Sequence, residues 1–469
     1  MNGDFWRRSN MNQRNISYEF SNIKSLRVQR IRRMGDMLVL LSLQLFLLIM
    51  FVEFSKYYPD ADASDLHTSS HPVFGGFDPN LNTYRKYNSM FQDIHVMVFL
   101  GFGFLMAFLK KYGYSSIGFN FFLAAILVQW AILCRGFFHL SNLKIPISVE
   151  SLVEADIAVA SVLISMGVLL GQTTLLQLII MGIIEIAVYQ CNFYVGDEIL
   201  KIADAGASIF VHTFGAYFGL AASFALSRFK RKNDIESDKS LESSNYTSDL
   251  FAMIGTIFLW IYWPSFNSAE LSGDDQHRAI INTYLSLAAS CATAFAFSAI
   301  LTPDTKFDMV HVQNSTLAGG VAIGASVNMM IQPYGAIFLG MLAGALSVIG
   351  YNYITPWIDR NLHIHDTCGV HNLHGMPGVL AALVSAILAA IATESQYHTG
   401  LYDIFPARAP TIPSFNQDVY RHIQGDGRTA MQQAGYQILA LIMTVVVAIV
   451  TGFLTGISNK TLCFHYSFL

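Results

Sequence analysis

Two short stretches decide the fold of this chain: Asp204-Ala-Gly-Ala-Ser-Ile-Phe-Val-His212 and Asp366-Thr-Cys-Gly-Val-His-Asn-Leu-His374. Each begins with an aspartate and ends with a histidine after seven intervening residues, and small residues follow: Gly215 in the first copy, Gly375 and Gly378 in the second. The copies lie 162 residues apart and lie in the two halves of the chain. If five spans separate them, the two copies run in opposite directions, which is the inverted-repeat architecture of transporters with a site near the midplane.

The composition sets the class of protein in which this repeat lies. Of 469 residues, 53% are hydrophobic and only 13% are charged, whereas a soluble domain carries about 25% charged residues. The mean hydropathy is +0.43. These values exclude a soluble enzyme, a disordered chain and a nucleic-acid binder, and five cysteines are too few for a disulfide scaffold. The sequence therefore predicts an all-α polytopic membrane protein.

Twelve apolar windows are long enough to cross a bilayer. The first covers about 34–52 and follows a strongly basic segment, so we expect the N-terminus in the cytoplasm and, after an even number of spans, the C-terminus there too. Lys110-Lys111 and the basic run at 228–232 fall on the same side in this topology. The other windows start near Ile94, Ile117, Leu152, Leu175, Ala205, Leu250, Ala279, Met309, Pro333, Leu373 and Tyr436.

These windows predict a domain organisation with one transmembrane domain. A basic cytoplasmic tail at 1–33 precedes it, and a short cytoplasmic tail at 458–469 follows it. Within the domain at 34–457, an extra N-terminal helix precedes an inverted five-helix repeat, and a C-terminal helix follows the repeat. The parts are a first half at about 92–229, a charged, serine-rich linker at 230–248, a second half at about 249–392, a polar outer insert at 393–430 and the last helix at 431–457.

The spacing within each copy indicates two roles. Eight residues of helix rise about 12 Å, so each aspartate lies toward a helix end and each histidine toward mid-membrane. Asp204 and Asp366 are placed to cap helix starts or to handle protons, and the spacing does not separate these roles. His212 and His374 must face the bundle interior, because an imidazole in lipid is costly. A core histidine bonded to one neighbour is the common alternative, but two matching contexts make it less favoured.

A rival site surrounds the second copy. His363, His365, Asp366, Cys368, His371 and His374 have the composition of a transition-metal cluster, which would suit an intramembrane metalloenzyme. His363 and His365 would point to different faces of a helix, and the first copy of the motif holds no histidine besides His212. The sequence therefore predicts neither a metal site nor a cofactor. A different feature is Pro264 in the aromatic run 260–269, which indicates a kink that could open onto a pore near Phe266 and Asn267.

Long stretches of this chain resemble the Rh glycoproteins of the ammonium transporter (Amt/Mep/Rh) superfamily. They include YGYSSIGFNFFLA at 112–124, SDLFAMIGTIFLWIYWPSFNSA at 248–269 and DMVHVQNSTLAGG at 308–320. Further matching stretches lie at 91–106, 212–220, 277–284 and 363–378. The first span is similar to the extra N-terminal helix of Rh proteins.

The resemblance implies a homotrimer in the plasma membrane, with one narrow hydrophobic pore in each subunit that carries ammonium or ammonia. His212 and His374 match the paired pore histidines, and Asp204 and Asp366 match the acidic residue of each repeat. Phe266 matches a gate aromatic with Asn267 beside it. Asp249 and Asp308 match acidic positions of the cytoplasmic vestibule.

Two positions depart from the family pattern. Ile157 stands where the second gate phenylalanine is usual, which predicts a looser outer gate. His371 stands where relatives often carry asparagine, which adds a titratable group near the pore. Three alternatives to ammonia conduction remain open: a carbon dioxide or mixed small-gas channel, the metalloenzyme described above, and a structural subunit without transport.

Overall fold

The computed structural model describes residues 34–62, 83–109, 113–228, 245–302, 305–412, 414–416 and 421–467. The basic tail at 1–33, Lys110-Lys111 and most of the predicted linker at 230–248 lie outside these residues. The chain divides into two units, and the helix at Met34–Phe54 belongs to a different unit from residues 55–461. The site lies entirely in the larger unit.

Apolar runs of about 20 residues form helices here, as expected for segments that must satisfy every backbone hydrogen bond internally. Eleven described helices are long and apolar enough to cross a membrane. In chain order the helices are α1 (Met34–Phe54), α2 (Lys86–Phe108), α3 (Gly113–Gly136), α4 (Val149–Leu169), α5 (Leu175–Ile199), α6 (Ser208–Ser227), α7 (Tyr246–Ser268), α8 (Gly273–Leu301), α9 (Met309–Ser315), α10 (Ala318–Gly324), α11 (Gln332–Leu362), α12 (His371–Ile391) and α13 (Ala430–Ser467).

The helices α9 and α10 together occupy the position of the remaining predicted span. Each has only seven residues, and the helical conformation is interrupted between them around Leu317. Every residue of α10 is buried, so its free backbone ends face protein rather than lipid, where an interrupted helix is tolerated. Counted as one segment, the pair brings the described spans to twelve, as the sequence predicts.

The two copies of the Asp-x7-His motif introduce α6 and α12. Four segments lie between these helices: α7, α8, the α9–α10 pair and α11. An odd number of crossings therefore relates one helix to the other, and α6 and α12 traverse the bundle in opposite directions. The inverted arrangement predicted from the repeat is confirmed, with α1 before it and α13 after it.

Small residues allow a close helix contact within the second half. Gly340 and Gly344 in α11 lie directly against the backbone carbonyls of Ser286 and Ser290 in α8, where a Cβ atom would collide. Small residues four positions apart are the usual means by which membrane helices approach each other. Small residues allow a similar close approach between α4 and α6.

Short strands and loops lie at one end of the bundle. Strand β1 (Ser55–Tyr57) pairs in parallel with β2 (Ile145–Ile147), and β3 (Ser414–Asn416) pairs antiparallel with β4 (Arg421–Ile423). The second pair belongs to the polar insert, which also contains the short helices Glu394–Tyr397 and Leu401–Ile404. The helix that follows it, α13, continues through most of the segment predicted as a C-terminal tail.

Candidate functional site

His212 and His374 meet in the centre of the larger unit. Their Nδ1 atoms are 3.0 Å apart, their ring centroids are 5.1 Å apart, and the ring planes differ by 14°. The two residues are buried, with 1% and 3% of their surface exposed. One histidine comes from each half of the inverted repeat, so the sequence prediction that both face the bundle interior agrees with this geometry.

The aspartate at the start of each motif fixes the helix that carries the histidine. Asp204 Oδ2 accepts hydrogen bonds from the backbone N–H groups of Ile209, at 2.9 Å, and Phe210, at 3.0 Å. Between the aspartate and the helix, Ala207 adopts a left-handed conformation with φ 53°. This backbone turn brings the first N–H groups of α6 onto the carboxylate, which is a favourable position for a negative charge.

Asp366 caps the second helix in the same manner. Its Oδ1 accepts from the N–H of Val370 and its Oδ2 from the N–H of His371, both at 2.9 Å. Here the left-handed position is Gly369, with φ 69°. Both α6 and α12 then begin with a π-helical turn, at Ser208–Thr213 and His371–Gly375, that contains the histidine. Wide turns of this kind often occur at functional sites.

Aromatic rings surround the histidine pair. Trp263 lies parallel to the His212 ring, with centroids 5.6 Å apart and planes within 20°. Phe266 is also 5.6 Å from His212, and Phe102 lies 6.4 Å from His374. The pair therefore lies between apolar walls. Among the described residues, no charged side chain stacks on either imidazole ring.

A crevice opens beyond Phe266 at the end of the bundle where α3 ends and α4 begins. It is narrow, with room for roughly one water molecule in about 20 Å³. Arg135 and Glu154 form an ion pair at its wall, with 3.2 Å between Nη2 and Oε1. The lining residues are Arg135, Glu154, Ile157, Tyr189, Gln190, Phe193, Asp204, Ala205, Ala207, Phe266 and Glu270.

The structure brings both predicted gate residues to this crevice. Ile157 and Phe266 line it together, and Ile157 is 7% exposed. Asn267 instead lies in the packing between helices: its amide nitrogen donates to Thr283 Oγ1 and to the carbonyl of Gly320, both at 3.1 Å. The amide thus ties α7 to α8 and α10, immediately behind the gate.

The other predicted residues lie toward the opposite end. Asp308 caps α9 by accepting from the N–H groups of Val310 and His311, and Asp249 lies in the first turn of α7, where its carbonyl accepts from Gln313 Nε2 at 2.8 Å. His371 is partly buried, one turn before His374, and its ring is 5.9 Å from that of Tyr217.

The histidines and the cysteine of the rival metal cluster do not converge. His365 faces Asp359 at 3.6 Å, and the carbonyls of His363 and His365 accept from Ser227 and Ser223 at 2.6 Å. Among the residues that the structure describes, no group of three or more His, Cys, Asp or Glu side chains is placed to hold a metal ion.

Three wall residues were given no role from the sequence, although Trp263 belongs to the aromatic run 260–269. Phe102 and Trp263 are ordinary members of apolar runs, and only their three-dimensional position distinguishes them. Arg135 lies in the last turn of α3, where a basic residue commonly reaches the membrane interface, so only the structure shows that it lines the crevice.

These features define a class of protein. In the larger unit, eleven described segments form a bundle that encloses a buried histidine pair between aromatic walls, and Phe266 contacts both the crevice and the pair. The class is a membrane channel or transporter built on an inverted repeat.

Comparison with known proteins identifies the family. Residues 80–464 match the model of the Ammonium Transporter Family. The chain is 48% identical over 424 residues to ammonium transporter Rh type B of Xenopus tropicalis, covering 90% of this chain and 87% of that protein. It is 45% identical over 433 residues to ammonium transporter Rh type B of Mus musculus, covering 92% and 90%.

A solved structure supports the same assignment. Nitrosomonas europaea Rh50 superimposes with a TM-score of 0.64 at 30% identity, covering 80% of this chain and 87% of that one. The chain therefore belongs to the Ammonium Transporter Family, and its resemblance to Rh proteins is confirmed.

Proposed function

We propose that the protein conducts ammonia across the membrane, and that the solute passes the His212–His374 pair as a neutral molecule. The observation that carries this proposal is the 3.0 Å contact between the two Nδ1 atoms in a buried, apolar-walled position. Membership of the Ammonium Transporter Family supplies the substrate class.

The contact restricts the protonation of the two rings. Two Nδ1 atoms at 3.0 Å share one proton, so one ring donates and the other accepts. In the neutral state the donating ring then has a free acceptor at Nε2, and the accepting ring has an N–H donor at Nε2. The pair thus presents one acceptor and one donor, which is complementary to ammonia. The Nε2 atom of His212 has no hydrogen-bond partner among the described residues and is free to meet a solute.

The walls oppose passage of the ammonium ion. An unpaired cation in a site lined by Trp263, Phe266 and Phe102 loses its hydration without a compensating carboxylate. Loss of water also disfavours the charged form of the solute itself. Ammonium therefore releases its proton at the entrance, and ammonia continues along the pore.

The crevice beside Ile157 is the site of cation recruitment in this proposal. Glu154, Glu270 and Asp204 line it together with Arg135, so three carboxyl groups face one guanidinium. An acidic funnel raises the local concentration of a cationic solute. Asp249 and Asp308 serve the same purpose at the cytoplasmic end, and His371 provides a titratable group between that end and the pair.

Electrical recording tests the neutral step. Purified protein in proteoliposomes is given an ammonium gradient, and internal pH and current are recorded together at several membrane potentials. We expect alkalinisation without a current proportional to flux. A current that scales with ammonium flux would contradict the proposal and would favour a proton carried along the two imidazoles.

Carbon dioxide is the second candidate solute, because a narrow apolar passage admits any small neutral molecule. Separate stopped-flow pH traces with ammonia and with carbon dioxide distinguish the two. We expect the protein to accelerate the ammonia trace, and acceleration of the carbon dioxide trace alone would assign the second function.

The proposed assembly is a homotrimer in the plasma membrane with both termini in the cytoplasm. The resemblance to Rh proteins implies this assembly, and in it each subunit would hold its own histidine pair. Native mass spectrometry in detergent measures the subunit number, and accessibility of tags at each terminus measures the topology.

A further inference from the structure

A buried carboxyl group lies in the larger unit away from the pore wall. Glu185 is in the middle of α5, and none of its surface is exposed. It lines neither the crevice nor the ring cluster around the histidines. A carboxyl group inside a membrane bundle is costly and is retained for a specific interaction.

The interaction of Glu185 is with one hydroxyl group. Ser165 Oγ in α4 lies 2.7 Å from Glu185 Oε1 and also 2.7 Å from the backbone carbonyl oxygen of Gly215 in α6. A serine hydroxyl carries a single proton. A carbonyl oxygen accepts only, so the serine proton is given to Gly215, and the contact with Glu185 needs a proton from the carboxyl group.

Gly215 belongs to the helix that presents a pore histidine. It follows His212 by three residues and lies just after the wide first turn of α6. The space behind it is tight, because a Cβ on Gly215 would lie 2.5 Å from the carbonyl oxygen of Ser161, and one on Gly219 would lie 2.9 Å from Ser165 Cα. Gly215 and Gly219 thus let α4 and α6 touch, and the hydroxyl of Ser165 bonds across this contact.

We propose that Glu185 is held in its protonated form and acts as a positioning residue for His212. The carboxyl O–H donates to Ser165 Oγ, the Ser165 O–H donates to the Gly215 carbonyl oxygen, and this chain joins α5, α4 and α6 behind the pore. Its consequence for transport rests on the proposed role of His212. The protonation of Glu185 does not depend on that role.

Infrared difference spectroscopy tests the protonation. The spectrum of the unmodified protein minus that of Glu185→Gln isolates the carbonyl stretch of a single carboxylic acid, which shifts on exchange into D₂O. We expect a carboxylic acid band at neutral pH. A carboxylate band in its place would overturn the proposal.

Ammonia flux in proteoliposomes tests the positioning. Glu185→Gln retains an N–H donor for Ser165, so we expect flux within about twofold of the unmodified protein, whereas Glu185→Ala and Ser165→Ala lower it by about fivefold or more, the effect of one lost buried hydrogen bond. Ser161→Ala is the matched control, since this hydroxyl lies one turn earlier in α4 and donates at 2.8 Å to Ala158 of its own helix.

The variants separate positioning from a general loss of folding. The ammonia flux of each variant is compared at equal amounts of folded oligomer. If Glu185→Ala does not fold, the flux of Ser165→Ala alone tests the positioning role. Equal flux for Ser165→Ala and the Ser161→Ala control would overturn the positioning role. If His212→Ala proves as active as the unmodified protein, the proposed function fails, while the infrared band still reports on Glu185.

Discussion

Asp204 and Asp366 cap the two pore helices with different atoms. Asp204 uses one oxygen, Oδ2, for both backbone donors, whereas Asp366 divides its two donors between Oδ1 and Oδ2. The second oxygen of Asp204 is buried without a hydrogen-bond partner among the described residues, and the residue lines the crevice. The two halves of the repeat are therefore equivalent in backbone geometry but not in the chemistry of the cap.

This difference predicts unequal effects of the same substitution. Asparagine keeps one carbonyl oxygen, which can replace Asp204 Oδ2 but cannot serve both oxygens of Asp366. We expect Asp366→Asn to lower the free energy of unfolding by about 1–2 kcal/mol more than Asp204→Asn. Thermal unfolding of the purified protein in detergent measures the difference, with the two alanine variants as controls that remove both caps. Equal losses for the two asparagine variants would contradict the assignment of oxygens.

The histidine pair predicts non-additive effects on flux. Because His212 and His374 share one hydrogen bond, removing either ring leaves the other without its partner. We expect His212→Ala and His374→Ala each to lower ammonia flux by about tenfold. The flux of the double variant should be no lower than that of the more impaired single variant. Stopped-flow uptake by proteoliposomes measures all three, and native mass spectrometry checks that the oligomer is intact. Flux equal to the unmodified protein in both single variants would remove the pair from the mechanism.

The repeat and the spans could be predicted because they depend on local properties. An apolar run of about 20 residues requires a helix, and matching Asp-x7-His stretches five spans apart require opposite directions. The interruption between α9 and α10 could not be predicted in this way, because the apolar pattern continues through Leu317. Directly after the interruption, Gly319 and Gly320 pack against Ser286 and Trp263, where a larger side chain would not fit. Such contacts between helices do not appear in an apolar pattern.

The same distinction between local sequence properties and helix packing applies to the site. The repeat placed His212 and His374 together, but ring contacts of Trp263 and Phe102 depend on how separate helices pack. The π-helical turns likewise follow from the caps and the left-handed positions, and spacing based on a regular α-helix does not show them. Asn267 was expected beside the pore, and its amide instead joins three helices.

The crevice predicts that Ile157 sets the size of the passage. A phenylalanine at this position would lie opposite Phe266 and would narrow the crevice that the two residues line. We expect Ile157→Phe to reduce methylammonium uptake by about tenfold more than ammonia uptake, because a pocket discriminates one methyl group by this order. Radiolabelled uptake and stopped-flow traces measure the two solutes. Ile157→Leu keeps the volume and is the matched control, and an unchanged ratio in Ile157→Phe would show that the gate lies elsewhere.

Close backbone contact predicts that Gly206 cannot be replaced. Its N–H donates to the carbonyl of Gly324 at 2.9 Å, and an added Cβ would lie 2.5 Å from Gly324 Cα. We expect Gly206→Ala to destabilise the folded protein by about 1–3 kcal/mol, since the segment before α6 must move away from α10. Gly118→Ala is the control, because no atom lies within 4 Å of the added methyl group. Thermal unfolding in detergent measures both, and equal stability of the two variants would contradict the contact.

The polar insert predicts a small, pH-dependent contribution to stability. Asp426 lies 2.8 Å from Lys201 and 3.2 Å from Arg428, and the hydrogen bond from Lys201 lowers the pKa of this carboxyl below its ordinary value of 3.8. A depressed pKa stabilises the folded state above the ordinary value, and the contribution disappears as the pH falls through the folded-state pKa.

A double-mutant cycle with Asp426→Asn and Lys201→Gln measures this contribution. The two side chains are 39% and 37% exposed, so solvent screening limits the coupling to less than about 1 kcal/mol at neutral pH. We expect the coupling to persist down to the ordinary value of 3.8 and to vanish below it, and high salt to weaken it at every pH. A coupling that grows as the solution is acidified would contradict the sign of the shift and would place the stabilising charge on another group of the insert.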